Sequence, residues 1–228
     1  MLHVFSVASL LPAQAGLTLR LSVDNGVTWT NVADGDPSDA SPDAGVVTFI
    51  GALGSWSVNV TTGTSKPATG TAADPYMDIA TVNFSSATPG TLLIQLSDDN
   101  FAPSAQNFAA IIGGTTDGTV RLKTWVDAGN ILFAKTTPLT SQGPFTPPAF
   151  NGNQSTPVGS GGAPYSLTME AEIVHTTANS STGFDASLTT CLGFSKCPGD
   201  LYLGCNPVSI PDCDLSQVEA TSCCGAAT

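Results

Sequence analysis

Positive charge is scarce in this chain. Its 228 residues hold six Lys and Arg against eighteen Asp and Glu, a formal net charge of −12. So few cations leave little with which to displace counterions, which argues against nucleic acid as a partner through a basic patch. Charge of either sign is thin, at 11% of residues, against roughly 25% in ordinary soluble domains. Histidine occurs only as His3 and His175, and no G-x-S-x-G is present, so an esterase-type nucleophile elbow has no candidate. No apolar run reaches the ~18–20 residues of a membrane-crossing helix, so no transmembrane segment is expected. Cysteine is missing from the whole stretch before Cys191.

What is present is a hydrophobic fraction of 41% with 23 Gly and 16 Pro, and alternation of period two. Gly45 to Pro67 is the best-organised stretch. Val47 and Phe49 oppose Val46, Thr48 and Ile50, and Trp56, Val58 and Val60 alternate with polar residues. Gly51 and Gly54 break the run into a hairpin. Leu17, Leu19, Leu21 and Val23 share one face, with a turn at Asp24-Asn25-Gly26 and a return strand over Val27 to Val32. Met77 to Ser85 is expected to pair with Thr91 to Ser97. In Thr119 to Val126, Arg121, Lys123 and Trp125 oppose Val120, Leu122, Thr124 and Val126, and Ile131 to Ala134 is expected to pair back. Tyr165, Leu167, Met169, Ala171 and Ile173 share a face, and Phe184 to Leu188 adds a last strand. Gln106 to Ile112 reads as a short helix or edge segment, and Thr137 to Ala163 as a Pro/Gly-rich connection. The pattern predicts an all-β fold, a two-sheet antiparallel, jelly-roll-like sandwich of about nine or ten strands. No internal repeat is seen.

Three regions follow. Residues 1–15 end in Ala13-Gln14-Ala15 and read as a signal peptide, with a retained N-terminal strand as the competing reading. Residues 16–189 form the sandwich domain. Residues 190–228 form a cysteine-rich C-terminal segment with Cys191, Cys197, Cys205, Cys213, Cys223 and Cys224. Six cysteines so close together point to disulfides and an oxidising compartment, with the pairing left open. No C-x-x-C occurs, which speaks against a zinc ribbon.

Candidate sites are few. Glu170 and Glu172 lie two apart on one strand face; they match a glycosidase carboxylate pair in kind, but such spacing is ordinary for solvent-facing positions. Asp34, Asp36, Asp39 and Asp43 share a loop, offering the oxygens that calcium takes, although an acidic turn has the same composition. No other cofactor is implied. Trp125, outward with Arg121 and Lys123, is the candidate ligand platform; Trp56 reads as core. His175 closes a strand with no nucleophile motif beside it. Asn59, Asn83, Asn153 and Asn179 each begin a glycosylation sequon, which matters only in a host with the machinery.

The stretches LSVDNGVTWTNVADGDPSD, GVVTFIGALGSWSVNVTTGTSKP and MDIATVNFSSATPGTLLIQLSDDNF resemble a group of bacterial secreted β-rich proteins. Many of those carry a PEP-CTERM-type C-terminal sorting tail. The resemblance covers about Leu17 to Leu188. After Leu188 this chain shows no Pro-Glu-Pro, and the cysteine segment stands there instead. The resemblance implies export, a β-rich body at the cell surface or in extracellular matrix, and no assigned activity. The expected function is therefore that of a non-enzymatic, secreted structural protein, a self-assembling filament or matrix subunit. Its partners would be copies of itself or other surface components. The alternative is a secreted module that binds carbohydrate or another ligand, with calcium if the acidic loop holds it.

Overall fold

A computed structural model of the chain describes residues 16–81, 84–102, 107–157 and 164–191. They form an antiparallel two-sheet sandwich without helix among the described residues. The thirteen strands are β1 Thr18–Ser22, β2 Thr30–Ala33, β3 Val46–Leu53, β4 Trp56–Thr64, β5 Tyr76–Thr81, β6 Phe84–Ser86, β7 Gly90–Phe101, β8 Asn107–Thr116, β9 Thr119–Asp127, β10 Thr137–Phe145, β11 Ala149–Pro157, β12 Tyr165–His175 and β13 Ser180–Cys191.

One sheet has six strands, in the order β10-β9-β12-β7-β1-β2. The other has seven, in the order β11-β8-β13-β5-β4-β3, with β6 beside β13 and β4 in the same lane as β5. From β5/β6 onward the chain changes sheet at nearly every step; only β9 and β10 are consecutive neighbours. The resulting lanes, β5/β6-β13-β8-β11 facing β7-β12-β9-β10, have the strand order of an eight-stranded jelly roll. The first four strands widen it on one side: β1 and β2 extend one sheet beyond β7, and β4 and β3 extend the other beyond β5.

Alternation explains the core. Leu19 and Leu21 on β1, Leu92, Ile94 and Leu96 on β7, Val120 and Leu122 on β9, and Leu167, Met169, Ala171 and Ile173 on β12 are all fully buried. They meet Val58, Met77, Ile79, Phe108, Ile112 and Leu188 of the other sheet. The Tyr165 ring sits 5.7 Å from Phe101 and 6.1 Å, edge-on, from Phe108. Gly63 leaves room for Leu96 of the opposite sheet: a Cβ there would lie 2.4 Å from Leu96 Cδ1.

Several expectations are corrected. Met77–Ser85 and Thr91–Ser97 do not pair, because β5/β6 and β7 lie in opposite sheets. Of the segment expected from Gln106, residues 107–112 are neither helix nor edge: β8 runs between β13 and β11, and Phe108, Ala109, Ala110 and Ile112 are buried. The supposed connection from Thr137 carries β10 and β11. Their few apolar residues, Leu139, Phe145 and Phe150, are too widely spaced to give an alternating run, yet β11 pairs with β8 from Ala149↔Thr115 to Pro157↔Asn107 without a break. Residues 131–134 do not return as a strand, since the partner of β9 is β10. The strand expected from Val27 begins only at Thr30, and Val27 is 80% exposed. The N-terminal segment 1–15 and all cysteines after Cys191 lie outside the described residues; Cys191 ends β13 opposite Asn107.

Candidate functional site

The inward leucines of β1 leave Arg20 on the outer face of the six-stranded sheet. Register then sets Arg20 opposite Gln95 of β7, Gln95 opposite Glu170 of β12, and Glu170 opposite Lys123 of β9. The rows on either side hold Glu172 opposite Arg121, and Ser97 opposite Thr168 opposite Trp125. One face thus collects chemistry from four strands.

The β9–β10 connection folds over part of this face. Asp127 accepts from the Ile131 amide at 2.9 Å and the Thr136 hydroxyl at 2.5 Å; Ser166 donates to the Ile131 carbonyl at 2.7 Å; the Phe133 amide donates to Ser97 Oγ at 3.0 Å. The Thr136 hydroxyl first, and the Ile131 amide after it, draw the Asp127 carboxyl below its ordinary value. Phe133 has φ +62°, a left-handed conformation costing a bulky residue about 1–2 kcal/mol. That conformation delivers its ring to Arg20.

Arg20 Cζ lies 4.2 Å from the Trp29 ring centroid and 3.8 Å from that of Phe133. Its Nε donates to Gln95 Oε1 at 2.6 Å, and the Gln95 amide nitrogen donates to Glu170 Oε2. Lys135 reaches the same oxygen at 2.5 Å while its Nζ stands 4.7 Å from the Trp125 centroid. Arg121 pairs with Glu172 at 2.7 Å. Burial lowers the Arg20 pKa, and the Glu170 charge acts in the opposite direction. Two tryptophans and a phenylalanine are therefore set against cations around a buried amide–carboxylate link, on a face half open to water.

Each expected site residue has its place. Trp125 is on this face, half-buried, not fully exposed as its alternation suggests. Glu170 does not point freely into solvent: it is 9% exposed, beneath Lys135 and Gln95. Asp34 accepts the Gly45 amide at 2.7 Å, and Asp39 accepts the amides of Gly35, Ser41 and Thr48. Asp36 and Asp43 are exposed. Two of the four loop carboxylates thus cap backbone donors, and no group of three or more metal-ligating side chains is gathered among the described residues. His175 is 1% exposed, its Nδ1 2.7 Å from Ser86 Oγ, its Nε2 2.8 Å from Thr182 Oγ1, its ring stacked on Trp56 at 4.6 Å. Ser86 is equally buried, so this Ser–His contact offers no approach to a substrate.

Arg20, Gln95, Phe133 and Lys135 are not singled out by the sequence. Arg20 carried a signal, being the outward residue of a strand of inward leucines. Phe133 and Lys135 carried none, because a loop's path over a sheet is not written in local periodicity.

No protein-family model matches the chain, and no curated protein matches it. Among solved structures it is similar to TmCBM61, a carbohydrate-binding module, in complex with β-1,4-galactotriose: 10% identity, TM-score 0.33, covering 60% of this chain and 90% of that one. It is also similar to the Arthrobacter globiformis T6 isomalto-dextranase complexed with panose, at 10% identity and TM-score 0.22, over 76% of this chain and 23% of that one.

Proposed function

We propose that the protein is a secreted, non-catalytic module that binds carbohydrate on the outer face of its six-stranded sheet. The observation that carries this is the arrangement of Trp29, Phe133 and Trp125 with Arg20, Lys135, Gln95 and Glu170. Rings set beside fixed hydrogen-bonding groups are what a sugar needs, since it presents apolar C–H faces and hydroxyl edges together. The burial of His175 and Ser86 and the engagement of Glu170 by two donors support a binding role over catalysis. Affinity electrophoresis through soluble polysaccharides tests the reading. Retardation is expected, unchanged by EDTA, and weakened in W125A and W29A. Mobility equal to that in plain gel for every polysaccharide overturns it.

A second reading, a self-assembling surface or matrix subunit, is favoured by the sheet edge at β3. No strand covers its outer side among the described residues, and Ile50 is 60% exposed there. Sedimentation velocity over a wide concentration range decides: growing species support assembly, and a constant monomer rejects it.

A further inference from the structure

We infer that the polysaccharide held by the six-stranded face is anionic, carrying carboxylate or sulfate groups. This rests on the binding reading above and adds the charge of the ligand. The chain has six Lys and Arg, and four of them, Arg20, Arg121, Lys123 and Lys135, are on this one face or reach onto it. Lys66 is tied to Asp98 elsewhere, and Lys196 lies outside the described residues. Such clustering, in a protein with net charge −12, separates this face from the rest of the surface.

Two of the four cations are neutralised in place: Arg121 by Glu172 and Lys135 by Glu170. Arg20 and Lys123 form no ion pair among the described residues. Arg20 is also oriented. Two rings lie against its guanidinium and Gln95 holds its Nε, while no hydrogen bond among the described residues occupies its terminal nitrogens. Those nitrogens present the planar fork that fits carboxylate or sulfate oxygens. Arg20 is half-buried and feels Glu170 only through Gln95, so part of its desolvation cost is left for an anionic ligand to offset. Lys123 sits in the same row three strands away, about 14 Å at roughly 4.8 Å per strand, so a polymer lying across the strands meets both charges. Screening over about 8 Å at physiological salt lets this local pair act despite the acidity elsewhere.

The test uses the whole secreted chain and titrates polygalacturonate, its fully methyl-esterified form, cellulose sulfate and oligo-dT by calorimetry at two salt concentrations. Polygalacturonate, cellulose sulfate or both are expected to bind, the two arms separating carboxylate from sulfate recognition, with affinity falling as salt rises. R20Q is expected to lose about tenfold, as befits a charge-assisted fork, and R20K to recover only part of it. K123Q alters a side chain with no hydrogen bond among the described residues and so leaves folding unchanged; a loss of about threefold is expected. Equal binding of the methyl-esterified polymer, or K123Q and R20Q both matching wild type, overturns the inference while leaving carbohydrate binding standing. Oligo-dT binding as tight as polygalacturonate overturns it in favour of non-specific polyanion attraction. Binding to none of the four overturns it together with the reading it rests on.

Discussion

Gln95 joins Arg20 to Glu170: its carbonyl oxygen accepts from Arg20 Nε at 2.6 Å and its amide nitrogen donates to Glu170 Oε2. The side chain is 1% exposed, so neither charged group can exchange this partner for water without opening the face. Replacement in Q95L leaves the half-buried Arg20 Nε without its acceptor and takes one of two donors from Glu170 Oε2, which keeps Lys135. A loss of about 2–3 kcal/mol is expected, the usual size for hydrogen bonds to charged groups, read as a lower urea midpoint at constant m-value. A change under about 0.5 kcal/mol would show that the bridge carries no stability.

A second buried link closes the end of the sandwich. Lys66 Nζ lies 2.7 Å from Asp98 Oδ2 and 4.1 Å from the Phe101 centroid, and Ser65 donates to the same carboxylate oxygen at 2.6 Å. Burial pushes the Asp98 carboxyl up, and Lys66 opposes it. K66M removes the opposing charge and leaves a fully buried carboxylate, so a loss of about 3–5 kcal/mol is expected. The loss should grow as pH rises, because Asp98 must then ionise without a partner. The double variant K66M/D98L is expected to regain most of it, and simple addition of the two single losses would contradict the pairing.

Two other groups set opposed pH slopes. On the outer face of the seven-stranded sheet, Asp78 of β5 has Thr64 of β4 and Ser187 of β13 beside it in register, with Asp185 two residues from Ser187 and Tyr76 on its own strand. Burial first, then the Asp185 charge, push the Asp78 carboxyl up to about 7. A raised carboxyl binds its proton more tightly folded than unfolded. Its contribution is present below about pH 4 and lost as pH rises through about 7. His175 behaves oppositely: burial lowers its pKa against a smaller pull from Asp117. Its contribution is present above about pH 6.5 and lost as pH falls through its lowered value. Urea midpoints from pH 4 to pH 9 are expected to show D78N gaining on wild type above pH 7 and not at pH 4. Parallel curves would exclude a protonated Asp78 in the native state.

How much of this was readable in the chain depends on how much each strand buries. Leu17–Val23 and Tyr165–Ile173 carry an apolar side chain at every inward position, and the structure buries those side chains, all but Val23. The outward positions of Arg20, Arg121, Lys123 and Glu170 follow from the same alternation. The edge strands β10 and β11 bring only Leu139, Phe145 and Phe150 to the core and otherwise place polar side chains inward, such as Thr140 and Gln142, so no apolar alternation marks them. The short turn between β6 and β7 hid the crossing between sheets, since alternation gives a strand its face but not its sheet. The loop that brings Phe133 and Lys135 to the site is fixed by Asp127, Ser166 and Ser97, contacts that exist only after the sheet has formed.

Phe133 allows stability and binding to be separated. Its φ of +62° costs about 1–2 kcal/mol for a side chain of this size, and glycine adopts such a conformation freely. Its ring 3.8 Å from Arg20 Cζ returns a cation–π contribution of about 0.5–2 kcal/mol. In F133G the two changes nearly cancel, so unfolding stability is expected within about 1 kcal/mol of wild type. Binding should not be spared. Without this ring the guanidinium keeps Trp29 and Gln95 but loses one of the two aromatic rings against it, and the fork it offers a ligand is no longer fixed. Affinity for polygalacturonate is expected to fall several-fold in calorimetry while the urea midpoint stays near that of wild type. A variant that binds as well as wild type would show that the strained loop does not orient Arg20.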